Sequence, residues 1–540
     1  MGLLHFSLFI LLASLPWFLA QEIASPTLVI DGTEKIASTD DDFICATIDW
    51  WPPEKCNYDM CPWGLASVIN LNLSQPLLQR AVQAFKSLRI RVGGSLQDQV
   101  IYDVGNLSSH CRQFRVDKYA MFGFSGGCLH MDRWDELNRF FIRTGAIVTF
   151  GLNALIGRHQ VKPGVWGGKW DSTNARNFMK YTAEKGYPVD SWELGNELSG
   201  KGVGASVRAD QYAHDVVLLK AIIKELYKDN HKKASVVAPG GSFDQKWFAD
   251  LLRISGPGVL DAVTQHIYNL GSGSDPKLIS HILDPYYLSG ISSTFSNLDA
   301  TIYNNGRWAA AWVSESGGAY NSGGPHVSDT FVNSFWYLDQ LGMASKYNTK
   351  VYCRQSLVGG FYGLLDKTTF IPNPDYYSAL LWHQLMGKGV LLIDGDASAY
   401  LRYYAHCTKG REGITLLLIN LSNQTTFKVN TRNGISLKLH GEHPPKRANV
   451  VVRALKRAVS FTGEGSANEP LFREEYHLTP KDGVLQSQTV LLNGIPLEIT
   501  ENGNIPALKP ALVDVRKPLS IAPYSIAFVV YPNFDAPACI

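Results

Sequence analysis

Two short segments of this sequence combine residue types that can do chemistry. Residues 192–197 (WELGNE) and 310–316 (AAWVSES) are apolar, β-prone runs, and each reaches a glutamate, Glu197 or Glu315, beside small turn-forming residues. A glutamate at the end of a buried strand costs free energy unless it is paired or does chemistry. Most of the 48 acidic residues must be solvated or ion-paired. Two carboxylates facing each other across a cleft, however, are what glycoside hydrolysis requires.

The neighbours of both glutamates fit this interpretation. Asn196 precedes Glu197 and can hydrogen-bond a sugar hydroxyl next to the reacting carbon, a contact that strengthens in the transition state. Ser316 and the two glycines after it let the backbone turn sharply beyond Glu315 and approach a ligand. The pair therefore predicts a glycosidase site.

Elements that could position this pair recur before residue 375. Eight β-prone runs are residues 43–49, 88–93, 146–153, 189–197, 235–239, 262–268, 308–315 and 351–355. Amphipathic, helix-like segments between them include residues 74–88, 134–144, 210–227 and 329–345. Strand–helix alternation repeated eight times is typical of a (β/α)8 barrel, an α/β fold whose active site lies at the carboxyl ends of the strands. Glu197 would end the fourth strand and Glu315 the seventh, so both would project into one cleft.

Polar or compact residues occur at several other predicted strand ends. They are Asp49, Gly93, Gly94, Ser95, Asn153, His266, Tyr268, Arg354 and Gln355. A lone His266 would more often be a core histidine, but the shared position of these residues favours a place in the cleft.

After residue 375 the pattern changes to short alternating strands separated by turns. Predicted strands are residues 398–405, 414–421, 489–492 and 525–531, with an exposed loop at 441–446. Since single cores stop growing near about 300 residues, a chain of 540 residues should form more than one domain. We predict a catalytic barrel over residues 42–375 and a C-terminal β-sandwich domain over 376–540. Residues 22–41 should add a strand to the sandwich.

The beginning of the chain is typical of a secretory signal peptide. Residues 3–15 are mainly apolar, and a cleavage point follows Ala20, although no Lys or Arg precedes the apolar run. Glycosylation sequons begin at Asn72, Asn106, Asn420 and Asn423. We expect residues 1–20 to be removed and the product to be extracellular or in the cell wall, with a vacuole or lysosome as alternatives.

The cysteine count agrees with an oxidising compartment. The eight cysteines are an even number, and local bridges Cys56–Cys61 and Cys111–Cys128 fit the spacing, while sequence leaves the full connectivity open. No Cys-x-x-Cys or His-Glu-x-x-His motif occurs, so neither a metal nor a cofactor is expected.

Charge and hydropathy exclude other classes of protein. The net charge of +2 gives no sign of nucleic-acid binding, and nothing after the first twenty residues is apolar enough to span a bilayer. Residues 123–127 (GFSGG) fit the Gly-x-Ser-x-Gly pattern of serine hydrolases, with Ser125 as nucleophile. That motif needs a strand before it, and residues 117–122 are poorly β-prone, so we interpret it as a glycine-rich loop.

Several motifs together resemble a known family. Residues 192–197, 315–320, 354–355 and 522–526 are similar to the heparanase and β-glucuronidase group, glycoside hydrolase family 79, and particularly to its plant heparanase-like members. The resemblance runs from about Thr27 to near the C-terminus. It implies a (β/α)8 barrel with a β-sandwich and a retaining mechanism, with Glu197 as acid/base and Glu315 as nucleophile.

The resemblance also implies a set of substrate contacts. Asp49 and Ser95 match hydroxyl-binding positions, Asn196 the asparagine beside the acid/base, and Gln355 the glutamine after the eighth strand. The uronic carboxylate would be held by Tyr320, Tyr362 and backbone amides near Asn321 and Gly360.

The predicted function is hydrolysis of β-linked glucuronic acid from glycans, proteoglycans or small glucuronides. Residues 242–256 carry only Lys246 and Arg253 as basic residues, whereas a polyanion site needs clustered ones, which argues against heparan sulfate. Two alternatives stay open: a catalytically weak carbohydrate-binding barrel and an endo-acting heparan-sulfate-type glucuronidase. The natural substrate and the oligomeric state stay open as well.

Overall fold

The computed structural model describes residues 22–105, 111–228, 234–434 and 471–540. The predicted leader, the predicted loop at 441–446 and Asn106 lie outside these residues. Among the described residues, no helix combines the length and the apolar character that a membrane crossing requires.

Eight parallel strands close into a barrel in chain order. They are β1 (Ile44–Asp49), β2 (Arg89–Gly93), β3 (Ile147–Leu152), β4 (Val189–Leu194), β5 (Ser235–Gly241), β6 (Ala262–Ile267), β7 (Ala310–Ser316) and β8 (Thr349–Arg354). Strand β8 pairs with β1 and completes the ring. Nearly every strand residue is buried, as expected for parallel strands covered by helices. The predicted (β/α)8 barrel is confirmed.

Helices follow the strands and cover the barrel. They are α1 (Pro76–Gln83), α2 (Met131–Thr144), α3 (Thr173–Glu184), α4 (Ala209–Leu226), α5 (Gln245–Ser255), α6 (Ser292–Asn305), α7 (Phe331–Lys346) and α8 (Pro374–Leu385), with short helices Leu278–Leu283 and Pro285–Ser289 before α6. Helix α5 shows the local logic, since Asp244 caps it by accepting from the Trp247 N–H at 2.8 Å while Phe248 and Leu251 face the core. Helices α7 and α8 are buried almost all round because they contact both the barrel and the second domain.

The second domain is built on a twelve-stranded sheet. Its strands are Glu22–Ala24, Thr27–Ser38, Met386–Gly395, Leu401–Thr408, Ile414–Asn420, Thr425–Asn433, Phe472–Pro480, Val490–Leu492, Ile495–Pro496, Ala511–Asp514, Leu519–Ile521 and Ser525–Tyr531. The N-terminal strand Thr27–Ser38 pairs antiparallel with Met386–Gly395 and parallel with Thr425–Asn433. Leu28, Leu416, Phe427, Ile521 and Val529 share one buried core. The extra sheet domain is therefore C-terminal in sequence but includes the start of the described chain.

Loops above the barrel carry small sheets and single helical turns. The sheets pair Val100–Tyr102 with Gly127–Leu129, Gly271–Ser272 with Ala319–Tyr320, and His159–Lys162 with Val165–Gly167 and Ser206–Val207. The 3-10 turns Gln97–Gln99 and Met121–Gly123 lie in these loops, whereas the turns Lys481–Gly483 and Pro537–Cys539 belong to the sheet domain.

All eight cysteines are paired, which confirms disulfide bonding. The local bridges Cys56–Cys61 and Cys111–Cys128 form, and the remaining pairs are Cys45–Cys353 and Cys407–Cys539. The Cys45–Cys353 bridge links β1 to β8 and so crosses the seam where the barrel closes.

The described sequons differ in accessibility. Asn72 and Asn423 are exposed. Asn420, in contrast, is fully buried, and its Nδ2 donates to the carbonyls of Thr425, Ile521 and Ala522 at 2.8, 3.2 and 2.9 Å. A glycan at Asn420 is incompatible with these contacts, so glycosylation there is a wrong prediction.

Candidate active site

The two glutamates lie at the carboxyl ends of β4 and β7, facing one another. A carboxylate oxygen of Glu197, one of Glu315 and a ring nitrogen of His266 all lie within 4.8 Å of one another. Both glutamates are almost buried, with 9% and 6% of their surface exposed, so one edge of each stays accessible. This is the arrangement that the strand-end positions predicted.

Glu197 sits on an unusual turn. Its φ of 56° lies in the left-handed region, which costs a non-glycine residue about 1–3 kcal/mol unless its surroundings hold it. Gly195, two residues earlier, has a φ of 69°. The Glu197 N–H donates to the Gly240 carbonyl of β5 at 2.6 Å, so the neighbouring strand fixes the turn.

His266, at the end of β6, lies between the two glutamates. Its Nδ1 is 3.1 Å from Glu197 Oε1 and 3.9 Å from Glu315 Oε2. Its Nε2 is 3.1 Å from Ser314 Oγ, which fixes the ring plane. The histidine therefore contacts the carboxyl groups of both glutamates.

Arg91, in the middle of β2, connects the residues around the pair. Its Nη1 donates to Glu315 Oε2 at 2.7 Å, its Nε to Glu193 Oε2 at 2.8 Å, and its Nη2 to Asn196 Oδ1 at 2.8 Å. Sequence reasoning missed Arg91 and Glu193. The signal was present, because Arg89 and Arg91 interrupt an otherwise apolar strand at alternate positions.

The surroundings of Glu315 favour its ionised form. Burial alone would raise the pKa of Glu315, but the charges of His266 and Arg91, with hydrogen bonds from Tyr268 and Arg91, outweigh burial and hold it below the ordinary value. The Tyr268 hydroxyl donates to Glu315 Oε1 at 2.7 Å. A carboxylate held ionised this way is ready to act as a nucleophile.

Asp49 and Gln355 form a polar edge beside Glu315. Gln355 Nε2 donates to Asp49 Oδ2 at 2.8 Å, and Thr47 donates to Gln355 Oε1. Asp49 Oδ1 is buried with no hydrogen-bond partner among the described residues, so its capacity to form a hydrogen bond is unused. Burial, and then the charge of Glu315, raises the pKa of Asp49 to about 8. Gly94, with a φ of 99°, is required here because a Cβ would lie 2.5 Å from Asp49 Oδ2.

The structure places the other predicted substrate residues around this edge at different depths. Tyr362 is buried, with its ring 6.2 Å from that of Trp63, and a Cβ on Gly360 would lie 2.4 Å from the Tyr362 ring. Tyr320 is 46% exposed and lies in the loop after β7. Asn321 follows it with a φ of 60°.

These loops are joined to each other. The Phe361 N–H donates to the Ser322 carbonyl at 2.7 Å, which ties the loop after β8 to the loop after β7. Ser95, the remaining predicted residue, follows Gly94 and is partly exposed.

Two cavities continue from Glu197 over the loops after β4 and β5. The smaller cavity, of about 260 Å³, is lined by Glu197, Gly200, Lys201 and Asp244 among others. The larger cavity, of about 760 Å³, is also lined by Gly200, Lys201 and Asp244. The larger cavity also has Lys162, Arg208, Lys246, Asp210 and Asp250 in its wall.

Two of the four basic residues at this wall, Arg208 and Lys246, are paired with carboxylates. Arg208 pairs with Asp210 at 2.9 Å and Lys246 with Asp250 at 2.7 Å. Arg253, on the same helix as Lys246, also bonds to Asp250. The wall therefore mixes four basic residues with three acidic ones, whereas a highly sulfated chain would need a cluster of unopposed cations.

The competing sequence motifs lack the required context. Ser125 follows the 3-10 turn Met121–Gly123 rather than a strand, and its hydroxyl accepts from Arg115 N at 3.0 Å and donates to Gly126 O at 3.2 Å. These two hydrogen bonds indicate that Ser125 stabilises the loop.

The donor set at the two glutamates does not suit a divalent cation. Glu197, His266 and Glu315 are ligand types, but the Arg91 guanidinium already occupies Glu315 Oε2 and would repel a metal there. A second group, Asp103, Cys111 and His130, includes a cysteine that is tied in a disulfide.

Comparisons with known proteins agree with this geometry. Residues 25–342 match the model of glycosyl hydrolase family 79, N-terminal domain. The chain is 61% identical over 513 residues to heparanase-like protein 2 of Arabidopsis thaliana, covering 95% of each chain. It is 38% identical to the baicalin-β-D-glucuronidase of Scutellaria baicalensis, covering 96% of this chain and 94% of that one.

A solved structure shares the architecture. The 4-O-α-L-rhamnosyl-β-D-glucuronidase from Fusarium oxysporum superposes with a TM-score of 0.61 at 16% identity, covering 93% of this chain and all of that one, which shows a common fold. From the family match and the extent of the plant relatives, the chain belongs to glycosyl hydrolase family 79.

Proposed function

We propose that this protein is a retaining β-glucuronidase that removes β-linked glucuronic acid from glycans, proteoglycans or small glucuronides. The observation that carries the proposal is the pair Glu197 and Glu315, with carboxylate oxygens within 4.8 Å of each other. Retaining enzymes hold their carboxyl groups about 5–5.5 Å apart, whereas inverting enzymes leave about 6.5–9.5 Å for a water molecule. The short separation favours direct attack by one carboxylate.

The environments of the two glutamates assign their roles. Glu315, held ionised by Arg91, His266 and Tyr268, attacks the anomeric carbon, while Glu197 gives its proton to the departing glycosidic oxygen. The covalent glycosyl–Glu315 bond then breaks as Glu197 takes a proton from water and the resulting hydroxide adds to the anomeric carbon. The proton taken from water leaves Glu197 protonated and the broken bond leaves Glu315 as a carboxylate, so both glutamates are restored.

Residues on the other side of Glu315 would recognise the sugar ring. Asp49 Oδ1 and the Asn196 amide can bond hydroxyls, and Asn196 is positioned by Arg91 at 2.8 Å. Tyr362, the exposed Tyr320 and the backbone around Asn321 and Gly360 would hold the uronic carboxylate. The names of the Scutellaria and Fusarium relatives, both glucuronidases, support a uronic acid in this position.

The cavities beyond Glu197 would hold the leaving group, because the general acid must contact the departing oxygen. Their volumes of about 260 and 760 Å³ allow an aglycone larger than one small ring. Since Lys246 and Arg208 are paired with carboxylates, we favour an aglycone of low negative charge over heparan sulfate.

We further propose that the enzyme works along the secretory route or outside the cell. The four disulfides fit an oxidising compartment, and the exposed sequons Asn72 and Asn423 are open to glycosylation. Mass spectrometry of the purified protein should find residues 1–20 absent and at least one of these asparagines occupied. An intact Met1 with bare sequons would contradict secretion.

The function is tested by kinetics on matched substrates. Wild-type protein should hydrolyse an aryl β-glucuronide at least about a hundredfold more efficiently than the glucoside of the same phenol. The protein groups that donate hydrogen bonds to the uronic carboxylate would be left unpaired by a glucoside, which costs several kcal/mol. Glu315→Gln should abolish turnover. Glu197→Gln should slow substrates with poor leaving groups far more than activated ones.

A surface variant provides the control. Glu474→Gln changes a glutamate whose partner is Arg411, at 2.6 Å in the sheet domain, and should leave both rates unchanged. Equal rates on glucuronide and glucoside would refute the specificity, and no turnover of any glycoside by wild-type protein would favour the carbohydrate-binding alternative.

A further inference from the structure

Asp98 reaches from the turn after β2 to the loops that follow β3 and β4. It lies in the 3-10 turn Gln97–Gln99 and is 5% exposed. Its Oδ1 accepts from the Ala154 N–H and its Oδ2 from the Asn196 N–H, both at 2.7 Å. One side chain thus fixes two loop amides, one of them directly before Glu197.

The amide of Asn196 is one of three consecutive amides that define the turn into Glu197. The Gly195 N–H donates to the Leu152 carbonyl of β3 at 2.8 Å, and the Glu197 N–H donates to the Gly240 carbonyl of β5 at 2.6 Å. Main-chain atoms of the barrel therefore hold the first and third amides. Only the middle amide depends on a side chain, that of Asp98.

Asn196 is in fact held from both ends. Asp98 accepts from its backbone, and Arg91 Nη2 donates to its side-chain Oδ1 at 2.8 Å. Because Gly195 and Glu197 adopt left-handed φ values of 69° and 56°, the turn between them needs such restraints. Without the Asp98 contact the peptide before Glu197 loses its acceptor.

We propose that Asp98 is a positioning residue for the general acid, acting through the Asn196 backbone to aim the Glu197 carboxyl at the glycosidic oxygen. The inference rests on the proposed function. Asp98 bonds to backbone amides rather than to either glutamate side chain, so it acts indirectly. Small errors in the placement of a reacting group are costly for rate, which is why this contact should matter more than its bond energy suggests.

The variant Asp98→Asn tests the proposal. The amide has the size of the carboxylate but replaces one accepting oxygen with an NH2 group, which cannot accept from Asn196 or Ala154 N–H. We expect kcat/KM for phenyl β-glucuronide to fall by about tenfold or more, a fraction of the usual contribution of a general acid. For 2,4-dinitrophenyl β-glucuronide, which barely needs acid assistance, we expect a change of less than about threefold.

Rates should be expressed per competent active site. Titration with 2-deoxy-2-fluoro-β-glucuronyl fluoride, which traps a nucleophilic carboxylate, counts folded sites and removes losses from misfolding. If Asp98→Asn yields no folded protein, Asp98→Ser gives the same comparison, because its hydroxyl oxygen is one bond closer to the backbone and is set back from both amides.

A matched control separates positioning from general stability. Asp339 is likewise a buried aspartate, but it bonds Arg402 and Tyr404 at the junction between barrel and sheet domain. Asp339→Asn should lower the melting temperature. Its kcat/KM per titrated site should change by the same factor for both substrates.

The outcomes distinguish this proposal from the function on which it rests. If Asp98→Asn affects both substrates equally per site, or neither, Asp98 does not position the acid. If Glu197→Gln itself shows no dependence on the leaving group, the assigned role of Glu197 fails. If the loss of rate depends on the leaving group in Glu197→Gln but not in Asp98→Asn, the positioning role of Asp98 is refuted while the assigned role of Glu197 stands.

Discussion

Replacing Tyr268 with phenylalanine would remove one hydrogen bond from Glu315 while keeping the aromatic ring. The Tyr268 hydroxyl lies 2.7 Å from Glu315 Oε1. Burial, followed by the charge of Glu315, raises the pKa of Tyr268 well above its ordinary value, so the hydroxyl keeps its proton and donates. The bond therefore stabilises the ionised carboxylate.

The size of the effect follows from this single contact. A hydrogen bond to a charged group is worth about 1.5–3 kcal/mol, and about 1.4 kcal/mol corresponds to one pKa unit. The pKa of Glu315 lies below its ordinary value and would rise by about 1–2 units, while Arg91 and His266 still lower it. Since the nucleophile must be ionised, the acidic limb of kcat/KM should move to higher pH by the same amount.

The assay is the pH profile of kcat/KM between about pH 3 and 7, on an activated aryl glucuronide, which reports ionisations of the free enzyme. Tyr352→Phe is the matched control, because the Tyr352 hydroxyl bonds Ser316 Oγ at 2.7 Å instead of Glu315. Its acidic limb should stay in place. An unmoved limb in Tyr268→Phe, or a shift to lower pH, would refute the view that this hydroxyl holds Glu315 ionised.

Three further predictions concern other residues. The folded state keeps the proton of Asp49 up to about pH 8 whereas the unfolded chain releases it near 3.8, so the free energy of unfolding should fall as pH rises through this window, by at most about 1.4 kcal/mol per unit. In Asp49→Asn this contribution should vanish in denaturant titrations at pH 4 to 8, and an unchanged slope would contradict it. Tyr362→Phe should lower the ratio of glucuronide to glucoside kcat/KM rather than reduce both equally, and a constant ratio would remove it from uronate recognition. Asn420→Ala removes a buried side chain that donates to the carbonyls of Thr425, Ile521 and Ala522 and should cost at least about 1 kcal/mol in denaturant titrations, without loss of glycan mass. Asn423→Gln, in contrast, should remove glycan mass and leave the free energy of unfolding unchanged. A glycan found on Asn420 would contradict the burial of that side chain.

The catalytic pair was within reach of sequence reasoning because its positions follow from local patterns. Glu197 and Glu315 each end a β-prone run, and a parallel barrel brings all strand ends to one rim. His266 and Tyr268 were identified for the same reason. The eight β-prone runs correspond to the eight barrel strands, although only four helix-like segments were identified between them.

The supporting residues could not be derived in the same way. Arg91 contacts Glu193, Asn196 and Glu315 from a different strand, and the pairing depends on barrel register rather than on spacing along the chain. Asp98 lies in a single 3-10 turn, and the sequence does not determine the direction in which this turn points its side chains.

The burial of Asn420 could not be predicted from the sequence either, because the sequon is present but the side chain faces the interior. A three-residue motif records acceptor chemistry and not accessibility. Its misassignment shows that such motifs need the fold before they predict a modification.

The central claim is that Glu315 forms a covalent intermediate with the sugar, and the stereochemistry of the first product tests it most directly. Proton NMR of an aryl β-glucuronide hydrolysed by a high concentration of enzyme records the anomeric signals before mutarotation. Two displacements at the anomeric carbon retain its configuration, so β-glucuronic acid should appear first and the α-anomer only later. Initial release of α-glucuronic acid would require a single displacement by water and would contradict the assignment of Glu315 as the nucleophile.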